Sequence, residues 1–397
     1  MRILGTMSGT SMDGIDVAVL ETDGHVIAGF GASAFRPYTD AERAALVAAQ
    51  GRWPGAPGVA EAAAVVEAAH AELLAGFGAA DAVAFHGQTL AHDPGGRGTH
   101  QAGDGARLAA LTGRTVVWDF RSADVAAGGE GAPLAPFYHF ALAQWLRAEA
   151  PMAVLNLGGV ANVTWIDPTA AAPERPGALI ACDTGPANAP IDDLVRARCG
   201  ADFDRDGALA GAGRVDRAIL DRFRAEPFLR RPAPKSLDRA AFGWLRDAVA
   251  PLCVEDAAAT LTAICAAGVA AAWPLFPAPP RRLLVAGGGR RNPALMGALA
   301  DALPMPPEPV EAVGLDGDML EAQAFAYLAA RVLRGLPITA PGTTGVTAPQ
   351  TGGRVDGPDD SALHPTGPVG ASRHMAALDP AERARPGGEG SSSTGLQ

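Results

Sequence analysis

The sequence predicts an α/β protein made of two duplicated α/β domains that face each other across a cleft. Three observations carry this. A strand, a turn of small residues and a second strand at Arg2–Leu20 return at Met152–Ile166, roughly 150 residues later, which is the spacing of duplicated domains rather than of a solenoid. Each copy is followed by helical stretches and further short apolar strands, the mixed βββ and βα pattern of a layered α/β domain. Of the 397 residues, 48% are hydrophobic and 19% charged, which supplies two cores and excludes a disordered or disulfide-built chain. The expected division is 1–147, then 148–356 with its last segment able to return to the first domain. A Pro-, Gly-, Ser- and Ala-rich tail, expected to be disordered, occupies 357–397.

In chain order, Arg2–Gly5 reads as a strand, Thr6–Gly14 as a turn and Ile15–Leu20 as a second strand. Asp23-Gly24 signals a hairpin into His25–Phe30. Helices are expected at 40–50 and 59–76, the latter with Glu61, Glu67 and Glu72 on its polar side. Asp81–Phe85 and Thr115–Trp118 are short buried strands ending on His86-Gly87-Gln88-Thr89 and Asp119-Phe120-Arg121, and a helix at 134–147 follows. In the second copy, Met152–Leu157, Asn162–Ile166 and Ala178–Ala181 are strands, the last ending at Cys182-Asp183-Thr184-Gly185. Helices at 235–250 and 255–273 precede the strand Leu283–Ala286, which ends on Gly287-Gly288-Gly289 before a helix at Ala294–Leu303.

Charge and cysteine content narrow the function classes. A net charge of −11 leaves no basic footprint for nucleic acid or an anionic membrane. Four separated cysteines without a C-x-x-C pair or zinc-finger histidines point to a reducing compartment and no structural metal. The N-terminal apolar run is too short for a signal peptide. The uncharged window Ala257–Phe276 is Ala-rich and broken by Pro274, so it reads as a buried helix rather than a span. The expected location is the cytoplasm. The 32 basic residues are 31 Arg and the single Lys235. Lys235 follows Pro234, so both a P-loop and a protein-kinase lysine are excluded. It is expected at the surface.

Three segments can carry chemistry. Gly5–Gly14 holds four hydroxyl side chains and three glycines at a strand end. Backbone N–H groups and hydroxyls there can receive a phosphate, and ten residues exceed what a plain hairpin needs. Gly287-Gly288-Gly289-Arg290-Arg291-Asn292 is a near miss to the dinucleotide fingerprint. It fits backbone lying against an adenosine as well as it fits an ordinary strand–helix turn. Asp183, at a strand end beside Thr184 and Gly185, suits either a general base or a cap for the helix near Pro190. Further polar groups sit at expected strand ends: His86, Gln88, Asp119, Arg121, Asn156 and Asn162. Glu321 lies on a helix and His139 is expected to pack.

Taken together these segments closely resemble the anhydro-N-acetylmuramic acid kinase family, over residues 1 to about 356. The matching runs, in order, are Gly5–Asp16 (GTMSGTSMDGID), His86–Thr89 (HGQT), Asp119–Pro133 (DFRSADVAAGGEGAP) and Asn156–Thr164 (NLGGVANVT). Asp183–Asn188 (DTGPAN), Pro234–Ser236 (PKS), Gly287–Asn292 (GGGRRN) and Glu321–Ala326 (EAQAFA) complete the set. The resemblance implies the sugar kinase, Hsp70 and actin fold. It also implies a reaction in which water opens a 1,6-anhydro sugar while ATP phosphorylates O6. Asp183 then matches the catalytic base and Glu321 a second catalytic carboxylate. Gly9, Thr10, Ser11, Met12, Asp13, Gly14, Ile15 and Asp16 match the first phosphate loop. Asn156, Gly158, Gly159, Gly287, Gly288, Gly289 and Asn292 fall where the nucleotide is lined. Mg²⁺ is implied, with Asp13 and Asp16 holding its waters. His86, Gln88, Thr89, Asp119 and Arg121 are expected around the sugar, with Arg121 receiving the lactyl carboxylate.

Glu130, Ala187 and Pro190 depart from the family pattern, which has Gln, Gly and a large apolar residue there. The partners expected are a small amino sugar and ATP, with a homodimer left open. The alternatives are a kinase of the same fold acting on another amino sugar, and an ATP-switched binding protein of the actin or Hsp70 kind. A dinucleotide-dependent oxidoreductase would rest on Gly287–Gly289 alone.

Overall fold

The computed structural model describes residues 1–237 and 241–358, so the expected tail lies, beyond its first two residues, outside the described residues. The first half contains β1 (Arg2–Ser8), β2 (Gly14–Thr22), β3 (Ile27–Pro37), β4 (Ala82–Asp93), β5 (Gly98–Ala102) and β6 (Val116–Trp118). The second half contains β7 (Met152–Leu157), β8 (Val160–Ile166), β9 (Leu179–Pro186), β10 (Leu283–Ala286) and β11 (Pro307–Pro309), and β12 (Arg354–Asp356) closes the described chain.

The two sheets repeat one topology. In the first, β3, β2, β1, β4 and β6 are neighbours in that order; in the second, β9, β8, β7, β10 and β11. In each, the first three strands are antiparallel and the next two run parallel to the first. The duplication expected from the sequence is thus a duplication of strand order and direction. β12 pairs antiparallel with β6, so the chain returns to the first sheet after completing the second.

Strand alternation builds the layers. Ile3, Ala84, Val154 and Leu284 point to one side and Leu4, Val83, Leu155 and Val285 to the other, as the two-residue strand period requires. The helices Pro136–Trp145 and Leu320–Leu333 lie between the sheets, where Phe137, Tyr138, Phe325 and Leu328 are buried against residues of both. Helices of the first half cover its outer face through Leu46, Val66 and Leu108. The helices Val254–Ala272 and Pro293–Ala302 cover the outer face of the second sheet through Val269, Leu295 and Leu299. Val254–Leu275 is long and apolar enough to cross a membrane, alone among the described residues, and its apolar side is spent on this packing.

Several elements differ from expectation for physical reasons. β3 runs to Pro37 because it pairs with β2 along its length, and β4 runs on to Asp93 because β5 pairs with its second half, Gln88–Asp93. Glu67, expected on a polar face, is 2% exposed; its carboxylate accepts from the Asp104 N–H at 3.0 Å and pairs with Arg107 at 3.1 Å. Of the helix expected over 235–250, the described residues form helix only at Trp244–Val249. Ahead of it, Lys235–Leu237 is non-helical, following Pro232 and Pro234, each of which removes a backbone donor. Lys235, expected at the surface, is buried, donating to the carbonyls of Phe228 (2.9 Å) and Leu229 (3.2 Å) with its ammonium over the Phe228 ring. His139 packs as expected, with Nδ1 2.9 Å from Thr164 Oγ1.

Candidate active site

The first loop hangs between β1 and β2. Thr10, Ser11 and Asp13 are exposed on it, and Ser11 Oγ donates to Asp13 at 2.6 Å. Met12 adopts a left-handed conformation (φ 53°) that turns the chain, and its N–H reaches the Gly9 carbonyl at 3.1 Å. Met12 and Ile15, both expected to line the nucleotide, are instead buried in the core of the first half at 2% and 0% exposure. Their side chains anchor the loop, leaving its exposed surface to Gly9, Thr10, Ser11 and Asp13. Beneath it, fully buried Gln88 accepts from Ser8 Oγ and donates from Nε2 to the Gly9 carbonyl at 3.0 Å. Gln88, expected at the sugar, therefore holds the loop. Ser8 also bonds the Tyr38 hydroxyl at 3.0 Å; Tyr38 carried no sequence signal, because the contact spans 30 residues.

Asp16, on β2 behind the loop, joins an acidic group. Burial, with the nearby carboxylates of Asp13, Glu321, Asp318 and Asp316, pushes its carboxyl up to about 7. Among the described residues no three His, Cys, Asp or Glu side chains are close enough to chelate a metal directly. The donor set suits a Mg²⁺ that keeps its waters and binds mainly to phosphate oxygens, since a cation there relieves the repulsion that raises Asp16.

Glu321 sits in the first turn of the helix Leu320–Leu333 and is exposed at its start, while the protein atoms packed around its carboxyl raise its proton affinity and Arg121 lowers it. Arg121 Nε and Nη2 both donate to His86 Nε2, at 3.1 and 3.0 Å, while Nη1 donates to the Gly131 carbonyl at 2.7 Å. His86 Nδ1 faces the Gly87 carbonyl at 2.8 Å, so the ring carries its proton on Nδ1 and accepts on Nε2. Burial and the adjacent guanidinium push His86 well below its ordinary range. His86 is thus a support for Arg121. Thr89 accepts from Gln101 Nε2 at 3.2 Å. Asp119, at φ 54°, bonds Ser122 and lies near Arg354.

The second half supplies the facing wall. The Gly158 carbonyl accepts from the Asn188 N–H, and the Gly159 carbonyl from the N–H groups of Ala187 and Ala189, so this turn closes the start of the helix Asn188–Cys199. Ala187, at φ −127°, meets no left-handed strain there. Gly287 (φ 75°) passes so close to Asn156 Oδ1 and the Leu157 backbone that any side chain would collide, whereas Gly288 faces open space. Asn292 caps the helix Pro293–Ala302, accepting from Ala294 and Leu295 at 3.0 and 3.2 Å. Its side chain is therefore committed to the fold rather than to a nucleotide.

Asp183 lies within β9, since pairing with β8 carries that strand through to Pro186. It caps no helix; its Oδ2 accepts from the Leu237 N–H at 2.8 Å, and its own N–H donates to the Lys235 carbonyl at 2.9 Å. Burial pushes the Asp183 carboxyl up to about 7, with Glu130 adding to the effect and the Leu237 N–H and Lys235 opposing it. A half-buried carboxylate poised near neutrality can take a proton at physiological pH.

The family model described as anhydro-N-acetylmuramic acid kinase matches residues 1–356. A protein of that name from Cereibacter sphaeroides is 63% identical over 362 residues, covering 91% of this chain and 98% of the relative. Those of Roseobacter denitrificans and Acidiphilium cryptum are 56% and 54% identical, each over 91% of this chain and over 95% and 100% of their own. Among solved structures, an activator of 2-hydroxyisocaproyl-CoA dehydratase from Clostridium difficile with bound ADPNP aligns at 13% identity and TM-score 0.42, over 83% of this chain and 94% of its own. A ROK family glucokinase from Streptomyces griseus, in complex with glucose and AMPPNP, aligns at 14% identity and TM-score 0.37, over 83% of this chain and 98% of its own. The two structural likenesses are remote; the sequence relationship is not, and the chain belongs to the anhydro-N-acetylmuramic acid kinase family as an enzyme of that kind.

Proposed function

We propose that the enzyme opens the 1,6-anhydro ring of 1,6-anhydro-N-acetylmuramic acid with water and transfers the γ-phosphoryl group of ATP to O6. The products are N-acetylmuramic acid 6-phosphate and ADP, and the setting is peptidoglycan recycling in the cytoplasm. Water oxygen bonds to C1 as the C1–O6 bond breaks; the water proton passes to Asp183, and O6 takes the phosphoryl group as ADP leaves. Atoms and charge balance with one base and no added reductant or oxidant. The observation that carries this reading is Asp183, fixed by the Leu237 N–H and held near neutrality by burial.

The remaining residues divide the work. Glu321 orients the water, its charge balanced by Arg121. Arg121, aimed by His86 and the Gly131 carbonyl, receives the lactyl carboxylate. The exposed Gly9–Asp13 loop offers backbone N–H groups and hydroxyls to the phosphates, and Gly287–Gly289 lets backbone lie against the nucleotide. Asp13 and Asp16 would hold waters of a Mg²⁺, which when bound neutralises charge on the phosphates. Positioning and charge stabilisation supply most of such a catalyst's effect.

The test is ADP release with 1,6-anhydro-N-acetylmuramic acid and Mg·ATP, wild type against Asp183→Asn. A sugar-dependent rate that falls by roughly 10²–10⁴ in the variant is expected, the range for loss of a general base. No sugar-dependent rate in the wild type would defeat the substrate assignment, and an unchanged variant would remove Asp183 from the mechanism.

A further inference from the structure

Between Pro234 and the helix Trp244–Val249 the chain forms a short strap, Lys235-Ser236-Leu237, that touches both halves of the molecule. Its root is Lys235, whose buried ammonium is pinned to the Phe228 and Leu229 carbonyls. Its backbone brackets Asp183: the Lys235 carbonyl accepts from the Asp183 N–H, and the Leu237 N–H donates to Asp183 Oδ2 at 2.8 Å. The residue between them, Ser236, turns the other way and donates from Oγ to Glu130 Oε2 at 2.8 Å, across the seam between the halves.

Glu130 is itself held on every side. Its N–H donates to the Thr344 carbonyl at 2.8 Å and its carbonyl accepts from His92 Nε2 at 2.9 Å. The next residue, Gly131 (φ 66°), donates to Asp124 Oδ2 and accepts from Arg121 Nη1, both at 2.7 Å. The loop that presents Glu130 is therefore fixed by the same guanidinium that His86 orients. A carboxylate on so rigid a mount sets the place of Ser236 when the two halves meet.

We propose that Glu130 is a positioning residue for Asp183, acting from the opposite half of the molecule through Ser236 and the strap that Lys235 anchors. Contact between the halves then seats the strap, aims the Leu237 N–H at Asp183 and brings a second negative charge beside it. The charged and titratable groups facing Asp183 are Glu130 from the opposite loop, Lys235 from the strap and Cys182 beside it on β9. Glu130 raises the proton affinity of Asp183, and Lys235 with the Leu237 N–H lowers it. This rests on the reading of Asp183 as the base.

The experiment measures kcat and KM for the anhydro sugar from pH 5 to 9 in the wild type, Glu130→Gln, Ser236→Ala and Asp183→Asn. Glutamine keeps the hydrogen bond from Ser236 and removes the charge, so its acidic limb is expected to move to lower pH by roughly half a unit or more. Ser236→Ala keeps the charge and cuts the tie. It is expected to lower kcat by about tenfold, with KM for the sugar little changed, as for a misplaced catalytic group. An acidic limb that stays put in Glu130→Gln, together with a Ser236→Ala enzyme of wild-type kcat, overturns the proposal while a dead Asp183→Asn keeps the base reading. Wild-type turnover in Asp183→Asn overturns both.

Discussion

The Arg121 guanidinium directs two of its N–H groups to one imidazole nitrogen, Nε2 of His86, at 3.1 and 3.0 Å. A buried, neutral histidine thus serves as the acceptor that points a cation, and the charge stays on the arginine. Burial pushes even Arg121 down, to about 10, so the guanidinium gains much from an anion brought to it.

Replacing Arg121 by Lys keeps a charge and loses the planar fork. KM for the anhydro sugar is expected to rise at least about tenfold while KM for ATP holds. Steady-state kinetics with each substrate varied in turn check this. A matching rise in both constants would show that Arg121 serves the fold rather than the lactyl group.

The pH dependence of turnover follows from the proposed role of Asp183 as base. Its carboxyl sits near 7, so the working, deprotonated form is lost as pH falls through that value. The acidic limb of kcat/KM is expected close to pH 7 instead of near 4, the ordinary carboxylate range. A limb near pH 4 would mean that the base is a solvated carboxylate elsewhere.

Asp16 predicts a trade between stability and activity. With a folded-state value of about 7 against 3.8 for the free side chain, the native protein binds the extra proton between those values. Its stability therefore falls as pH rises from about 4 to 7, and the full penalty stands above 7. Asp16→Asn is expected to stabilise the metal-free enzyme at pH 8 by on the order of 1–2 kcal/mol, after discounting for partial solvent exposure, and to have no effect near pH 4. It is also expected to abolish most turnover. Thermal melts at the two pH values, with and without MgCl₂ and ADP, read out both effects.

Lys235→Met removes the donor shared by two buried carbonyls, those of Phe228 and Leu229. A loss of about 1–3 kcal/mol is expected from leaving them unpaired, measurable by urea unfolding. A variant as stable as the wild type would show that the side chain merely fills space.

Gly287 stands at φ 75° against Asn156 and Leu157. Gly287→Ala is expected to cost about 1–3 kcal/mol of strain and to weaken nucleotide binding. Gly288→Ala meets open space and leaves stability unchanged. Melting curves and ADP titrations on the pair separate backbone strain from contact with the nucleotide.

Much of this protein follows from the sequence alone, because local physics repeats in it. The alternation of Ile3 with Leu4 and of Val154 with Leu155 makes strands buried on both faces, and the small-residue turns between strands recur, so the duplicated halves were legible. The sequence also singled out Asp183, Arg121, Asp16 and the glycines as polar or small residues in or beside strands. What those groups do to one another was decided only by tertiary structure. Gln88 and Ser8 lie 80 residues apart, Ser236 and Glu130 106. No local pattern marks which of Gln88, His86 and Asn292 spends its polar atoms on protein and which side chain stays free. Lys235 read as a surface residue because a lysine is rarely buried; two carbonyls 6 and 7 residues upstream made burial affordable. Proton affinity is the clearest case. Asp183 and Asp16 are ordinary aspartates in sequence, and it is burial, with carboxylates brought from distant segments, that lifts each towards neutrality.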